Sequence, residues 1–209
     1  MTDTNDTILV TGGTGTLGRH VARVLEERGY VPRVMSRSAP PGDRSRGWEW
    51  ARADLATGDG LQRALEGVDA VLHAATSSTS YRKVDVAGTR EHLVPAARSA
   101  GVRHLVFPSI VGADLIPFGY YDAKVEVEEA LHASDVPTTV ARATQFHSFV
   151  HPLIRGAGRL PVMPLPTEVQ LQTVYAGDFA GYLVDQLEEE PGGRAPDFAG
   201  PDVRTLGEM

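Results

Sequence analysis

Residues 8–18 read Ile-Leu-Val-Thr-Gly-Gly-Thr-Gly-Thr-Leu-Gly, an apolar run, then glycines spaced G-x-x-G-x-x-G, then the start of an amphipathic segment. A strand, a glycine-rich turn and a helix in that order commit the chain to open as a βα unit. Gly12 lets the backbone turn sharply, Gly15 lets N–H groups approach a phosphate, and Gly18 lets the helix lie close to the sheet. The helix N-terminus adds unpaired N–H donors and a partial positive charge. The unit therefore predicts a pocket for the pyrophosphate of a dinucleotide. Its first two glycines stand one residue further apart than in the G-x-G-x-x-G form.

The rest of the chain alternates in the same manner. Ile8–Thr11 reads as the first strand, and Leu17, Val21, Val24 and Leu25 form one face of a helix stopped by Gly29. Val31–Met35, Trp48–Ala53, Val68–Ala75, Val102–Phe107 and Thr138–Arg142 read as further strands. Between them lie a Pro/Gly/Ser/Arg-rich loop (Ser38–Gly47), a short helix marked by Leu61, Ala64 and Leu65, and longer helices near 84–100 and 121–134. Strand and helix alternating at this spacing predict an α/β fold with a doubly wound parallel sheet. Beyond Phe146 the pattern changes. Gly156–Pro166 is unsuited to a regular helix, Val169, Leu171 and Thr173 alternate as in a half-exposed strand, and Asp178 caps a helix through Leu187. We expect residues 1–146 to form the nucleotide-binding core. Residues 147–209 are expected as a small C-terminal substrate or lid region, packed on that core as one compact unit. Leu206–Met209 reads as the start of another helix, so a shortened form is expected.

Composition limits the ligands. No apolar run approaches the roughly 20 residues of a membrane span, residues 1–7 are polar and acidic, and there are no cysteines. A net charge of −7 disfavours general nucleic-acid binding. The expectation is a cytoplasmic protein, monomer or homodimer, with a small-molecule substrate and no nucleic-acid or membrane partner; the helices near 84–100 and 124–134 either pair across a dimer or simply face solvent. An anionic ligand must then meet local positive charge.

That charge is expected at the end of the second strand, where the adenosine ribose lies. The segment there, Val34-Met35-Ser36-Arg37, has no carboxylate to bond ribose hydroxyls. Arg37, helped by Ser36, suits a 2′-phosphate, so NADP(H) is expected over NAD(H). Arg33, Arg44 and Arg46 compete for the role, and an ordinary surface arginine is the plainer reading. Asp54 fits the adenine amino group with Leu55 against the ring, or else N-caps the next helix. Ala74 and Ala75 leave room for the cofactor backbone, while His73 reads as a packed strand residue or a functional one.

Tyr120 and Lys124 stand four apart and share one helix face. A neighbouring ammonium is expected to lower the phenol pKa, and Lys124 can also hold the nicotinamide ribose. Ser109, expected just past the fifth strand, is the candidate hydroxyl for polarising a substrate carbonyl; its plainer reading is a turn serine. Ile110 beside it can donate nothing. Ser77–Ser80 reads first as a polar loop. His147 and His151 stand four apart, but no histidine spacing matches a metal motif, so no metal site is expected.

Taken together, TGGTGTLG, the MSR segment, the Asp54-Leu55 region, VDVAGTR, YYDAK and ARATQF resemble the atypical short-chain dehydrogenase/reductases of the NmrA-like group, over about residues 7–205. The resemblance implies a Rossmann-type domain, a small C-terminal substrate region and NADP(H). It places Gly12, Thr14, Gly15, Thr16, Leu17 and Gly18 in the phosphate loop and Arg37 at the 2′-phosphate. It places Asp54 and Leu55 at the adenine, Ala74 and Ala75 at the fourth strand's edge, and Ala143, Thr144, Gln145 and Phe146 beside the nicotinamide. Tyr120 and Lys124 match its catalytic pair, whereas the serine is misplaced or missing and the C-terminal part is short. The leading expectation is an NADP(H)-dependent oxidoreductase passing hydride to a small carbonyl, quinone or related substrate, with Phe118, Phe146, Phe149, Leu153 and Met163 as apolar contacts or core. The alternatives are an NADP(H)-binding redox sensor without turnover, or a non-redox isomerase or cyclase.

Overall fold

The computed structural model describes residues 5–38, 47–150 and 168–208. Seven strands form one parallel sheet: β1 (Thr7–Thr11), β2 (Val31–Ser36), β3 (Glu49–Arg52), β4 (Ala70–His73), β5 (His104–Ile110), β6 (Thr138–Ala143) and β8 (Gly193–Arg194). Their order is β3-β2-β1-β4-β5-β6-β8. A separate antiparallel pair joins β7 (Gln170–Leu171) to β9 (Arg204–Thr205). The helices are α1 (Thr16–Glu27), α2 (Leu61–Ala64), α3 (Val94–Ala100), α4 (Gly119–His132) and α5 (Ala176–Glu188), with a π-helix, π1 (Arg82–Leu93), running into α3.

Helices cover both faces of the sheet, so its central strands are apolar on both sides. Leu9, Leu105 and Phe107 meet Val86, Leu93, Val127 and Leu131 from π1 and α4 in one buried cluster. Ile8, Val10, Leu72 and Val106 meet Val21 and Leu25 of α1 and Phe179, Leu183 and Val184 of α5 in the other. The chain leaves β1 toward β2 and β3, then returns to β4 on β1's other side, with Thr11 in register with His73. The sheet's switch point therefore lies at the carboxyl ends of β1 and β4.

Several expected boundaries move. The third strand is shorter than Trp48–Ala53, with Asp54 after it as expected, and the fourth is shorter than Val68–Ala75, which leaves Ala74 and Ala75 in the segment that follows it. The fifth strand runs to Ile110, so Ser109 lies inside β5 rather than beyond it. The single helix expected near 84–100 divides before Pro95, which has no N–H to continue the ladder. Asp178 is in the first turn of α5, and Tyr175 occupies the N-cap position. Residues 206–208 form a turn, not a helix, because Leu206 N–H donates to the Val169 carbonyl and Glu208 N–H to that of Thr205.

The described residues beyond 146 pack into the same core as those before it. α5 lies against α1 and supplies part of the second apolar cluster, and β8 extends the sheet beside β6. Most of the loop at residues 38–47, and 156–166 with Leu153 and Met163, lie outside the described residues.

Candidate functional site

The glycines of the first loop do different work. Gly12 has φ +66°, and a Cβ there would stand 2.6 Å from Ala75 Cα and 2.8 Å from the Ala74 carbonyl oxygen. A Cβ at Gly18 would collide with the Gly12 carbonyl and the Gly13 backbone. Both positions serve close packing of loop, helix and the end of β4. At Gly15 the backbone is extended (φ −76°, ψ 176°), and a Cβ would meet only the Gly12 carbonyl oxygen, at 3.2 Å. Thr14, Gly15 and Thr16 are exposed, Leu17 rests on the second apolar cluster, and α1 begins with neither a side-chain cap nor an acidic residue in its first turn. Its N-terminal N–H groups are left open to an anion.

His73 closes the junction from below. It is buried between the hydroxyls of Thr11 (2.7 Å from Nδ1) and Thr89 (2.8 Å from Nε2), and Thr11 also accepts from Ala75 N–H at 3.1 Å. Burial, and then the Lys124 ammonium, push its pKa down to about 3, so the imidazole is neutral and serves as a structural tie. Ala74 and Ala75 pack onto opposite apolar clusters.

At the end of β2, Arg37 is exposed and has no partner among the described residues, while Ser36 Oγ accepts from Ser38 N–H. Arg33 is committed to Glu49 (2.6 Å) and to the carbonyls of Ala64 and Glu66, which removes it as a competitor. Arg44 and Arg46 lie outside the described residues. Asp54 does not cap α2, whose N-cap position is Gly60; its carboxylate accepts from Ala56 N–H at 2.8 Å within a turn. Leu55 is buried in the first cluster.

The first turns of α4 bring Tyr120 and Lys124 onto one face, as their spacing requires. Lys124 is only 5 % exposed, with Nζ 4.8 Å from the Phe107 ring centroid and 3.8 Å from Asp85 Oδ2. Tyr120 Oη is 2.9 Å from Thr76 Oγ1, whose hydroxyl donates to Asp85 Oδ2 at 2.5 Å. Asp85 is 1 % exposed and also accepts from Ser77 N–H at 3.0 Å. The expected acidified phenol is not found. Burial raises the Tyr120 pKa, and the Asp85 charge raises it further against the opposing hydrogen bond to Thr76. Lys124 is turned toward Asp85, which offsets its charge. Burial pushes the Lys124 pKa down and that of Asp85 up.

Ser109 is not brought into this group by its hydrogen bond, since its hydroxyl donates to Glu128. Glu128 also accepts from Arg142 Nη2 at 2.7 Å, and Arg142 reaches Asp114 at 2.7 Å. This brace fastens α4 to β5 and β6. Beside it, β6 ends in Ala143, and Thr144 Oγ1 is buried with no hydrogen-bond partner among the described residues. Gln145 is half-buried, and Phe146 packs on Phe179 with centroids 5.9 Å apart. Phe118 and Phe149 are exposed. Ser77 Oγ accepts from Ser80 N–H, so that segment is a turn.

Asp85 and Thr76 are the residues that sequence reasoning passed over. A lone aspartate in a helical pattern reads as solvated, and nothing local links Thr76 to a tyrosine 44 positions away. Among the described residues no group of three or more His, Cys, Asp or Glu side chains could hold a metal ion, and no helix is long and apolar enough to cross a membrane. His151 lies outside them.

A glycine-rich turn at the switch point of a doubly wound parallel sheet defines a Rossmann-type α/β protein. More particularly, the chain belongs to the NmrA-like family, whose model matches residues 4–191. It is 29 % identical over 195 residues to a ceramide reductase of Caulobacter vibrioides, covering 88 % of this chain and 61 % of that protein. It is 33 % identical over 208 residues to (4-alkanoyl-5-oxo-2,5-dihydrofuran-3-yl)methyl phosphate reductase of Streptomyces griseus, covering 97 % and 71 %. The chain spans 39 % and 46 % of the lengths of two further curated relatives. Among solved structures, triphenylmethane reductase of Citrobacter sp., complexed with NADP(H), superposes with a TM-score of 0.82 at 21 % identity, over 97 % of this chain and 73 % of that one.

Proposed function

We propose that this chain is an NADP(H)-dependent reductase of a small carbonyl, quinone or related electron-poor substrate. The observation that carries the reading is the Tyr120 hydroxyl and Lys124 ammonium held on α4 at the same sheet edge as the open phosphate cradle. Gly12, Thr14, Gly15, Thr16, Leu17 and Gly18 would hold the pyrophosphate. Arg37 and Ser36 would take the 2′-phosphate, with Asp54 and Leu55 at the adenine. Ala74, Ala75, Ala143, Gln145 and Phe146 would line the remainder, and Thr144 would gain the partner it lacks. A bound nicotinamide supplies the hydride. Tyr120 donates the proton that the reduced oxygen needs, and Lys124 orients ribose and phenol. Ser109 has no part, because its proton is held by Glu128. The reductase names of two relatives at 29 % and 33 % identity support this class of activity.

The test is Tyr120→Phe, followed by NADPH absorbance over a panel of carbonyls and quinones and by thermal shift with NADPH. A reductase loses turnover by roughly 100-fold or more, the order of one general acid, while its NADPH-induced shift is retained. Turnover unaffected by the substitution would contradict the assignment. Binding without turnover in either protein would favour a sensor, and product formed at constant NADPH absorbance would favour isomerisation.

A further inference from the structure

Two polar side chains at the site, Asp85 and Thr76, are unused by the reaction just described. Their hydrogen bonds have a direction. Asp85 accepts from Ser77 N–H and faces the Lys124 ammonium, so its ionised form has two favourable neighbours. An ionised carboxylate can only accept, so the 2.5 Å contact to Thr76 uses the Thr76 proton. Thr76 Oγ1 is left as an acceptor, and at 2.9 Å it must receive the Tyr120 O–H. The phenolic proton is thereby aimed along a chain that ends on a buried carboxylate. π1 supplies the carboxylate, α4 the phenol, and the exposed turn after β4 the bridging hydroxyl.

We infer that Asp85, acting through Thr76, is a positioning residue that anchors the Tyr120 hydroxyl and keeps it protonated in the resting protein, with Lys124 as the counter-charge. The inference rests on the reductase reading for its use, though not for its geometry. To reach a substrate oxygen the Tyr120 O–H turns away from Thr76 and passes its proton, and the Thr76 O–H then swings from Asp85 to the phenolate that is left. Thr76 is solvent-exposed, so water can return one proton to Tyr120 through its hydroxyl: the Thr76 O–H proton moves to the phenolate as Thr76 takes one from water. One hydride and one proton are consumed per turnover, and every side chain is restored. The other charged or titratable groups facing this chain are Glu128 and Tyr121 on α4, Tyr81 at the start of π1 and His73 on β4. None of these four bridges Asp85 to the phenol.

The experiment is a titration of the ligand-free protein labelled with 13Cζ-tyrosine, the Tyr120 resonance being the one lost in Tyr120→Phe. Asp85→Asn keeps the shape and removes the charge, and should lower the Tyr120 pKa by at least one unit. In the NADPH-dependent assay it should shift the alkaline limb of the kcat profile in the same direction. Thr76→Val should cut kcat at least tenfold and Thr76→Ser should restore it; this exposed site serves if Asp85→Asn does not fold. A Tyr120 pKa unmoved in folded Asp85→Asn, or Thr76→Val indistinguishable from wild type, overturns the inference. A shifted titration without any reductase activity would leave the positioning role and remove the reductase reading. Tyr120-dependent turnover with an unshifted titration would do the reverse.

Discussion

At the scale of single residues, spacing reveals side chains that share a helix and conceals those that meet across the fold. Tyr120 and Lys124 were legible because four positions on a helix fix their common face. Asp85 and Thr76, which determine how that pair behaves, were not, and the phenol expected to be acidified is held in the opposite direction. The absence of a carboxylate at the end of β2 is what proposes Arg37 for the 2′-phosphate, and its open position beside a committed Arg33 supports that proposal. Arg37→Glu should weaken NADPH binding by about 1.5–3 kcal/mol or more and leave NADH nearly unchanged, as measured by calorimetric titration of both. Equal losses for the two nucleotides would remove Arg37 from the 2′-phosphate. His73 makes a prediction about pH. Its folded pKa of about 3 stands below the 6.5 of the unfolded chain. Above pH 6.5 both states are neutral; as pH falls toward 3 only the unfolded chain gains the proton, so stability is lost. By linkage the loss is about 2 kcal/mol at pH 5. Urea unfolding of wild type and His73→Gln at pH 7.5 and pH 5 should show a smaller pH-dependent loss in the variant, by about that amount. An identical loss in both would mean that His73 is protonated in the folded state.

At the scale of elements, β1, β2, β5 and β6 were readable because the sheet is covered on both faces and their apolar runs are nearly continuous. β8 was unreadable. Gly193 and Arg194 have no strand character, and they pair only because β6 presents Thr139 and Val140 as an open edge. The partners of the C-terminal helix were not readable for a related reason: an apolar stripe shows that a helix is buried, not what buries it. Leu183, Phe179 and Val184 of α5 pack with α1 against β1, β4 and β5. Leu183→Ala should therefore cost about 2–5 kcal/mol in urea unfolding, the range for a fully buried leucine. A cost below 1 kcal/mol would indicate that α5 sits on the core rather than in it. The Arg142–Glu128–Ser109 brace belongs to the same scale, since it fixes the helix carrying Tyr120 to the strands beneath it.

At the scale of the whole molecule, the loop after β1, the turn after β4, the head of α4 and the end of β6 come together because a parallel sheet places every strand's carboxyl end on one edge. The alternation of segments was enough to predict that convergence, whereas substrate recognition depends on shape contributed by many loops at once. The central claim is that this edge grips a dinucleotide pyrophosphate at Gly15. Gly12 and Gly18 are required by packing, so substituting them would confuse folding with binding. Gly15 occupies the N-cap position of α1 with an extended backbone that any residue adopts, an added Cβ needs the Gly12 carbonyl oxygen at 3.2 Å to give slightly, and aspartate is a favoured N-cap. Calorimetric titration of NADPH into wild type and Gly15→Asp, with melting temperatures recorded alongside, separates the two effects. The account predicts saturable one-to-one binding to wild type and no detectable binding to a Gly15→Asp protein that melts no lower. Undiminished affinity in Gly15→Asp, or a wild-type protein that binds no nicotinamide nucleotide, would contradict it.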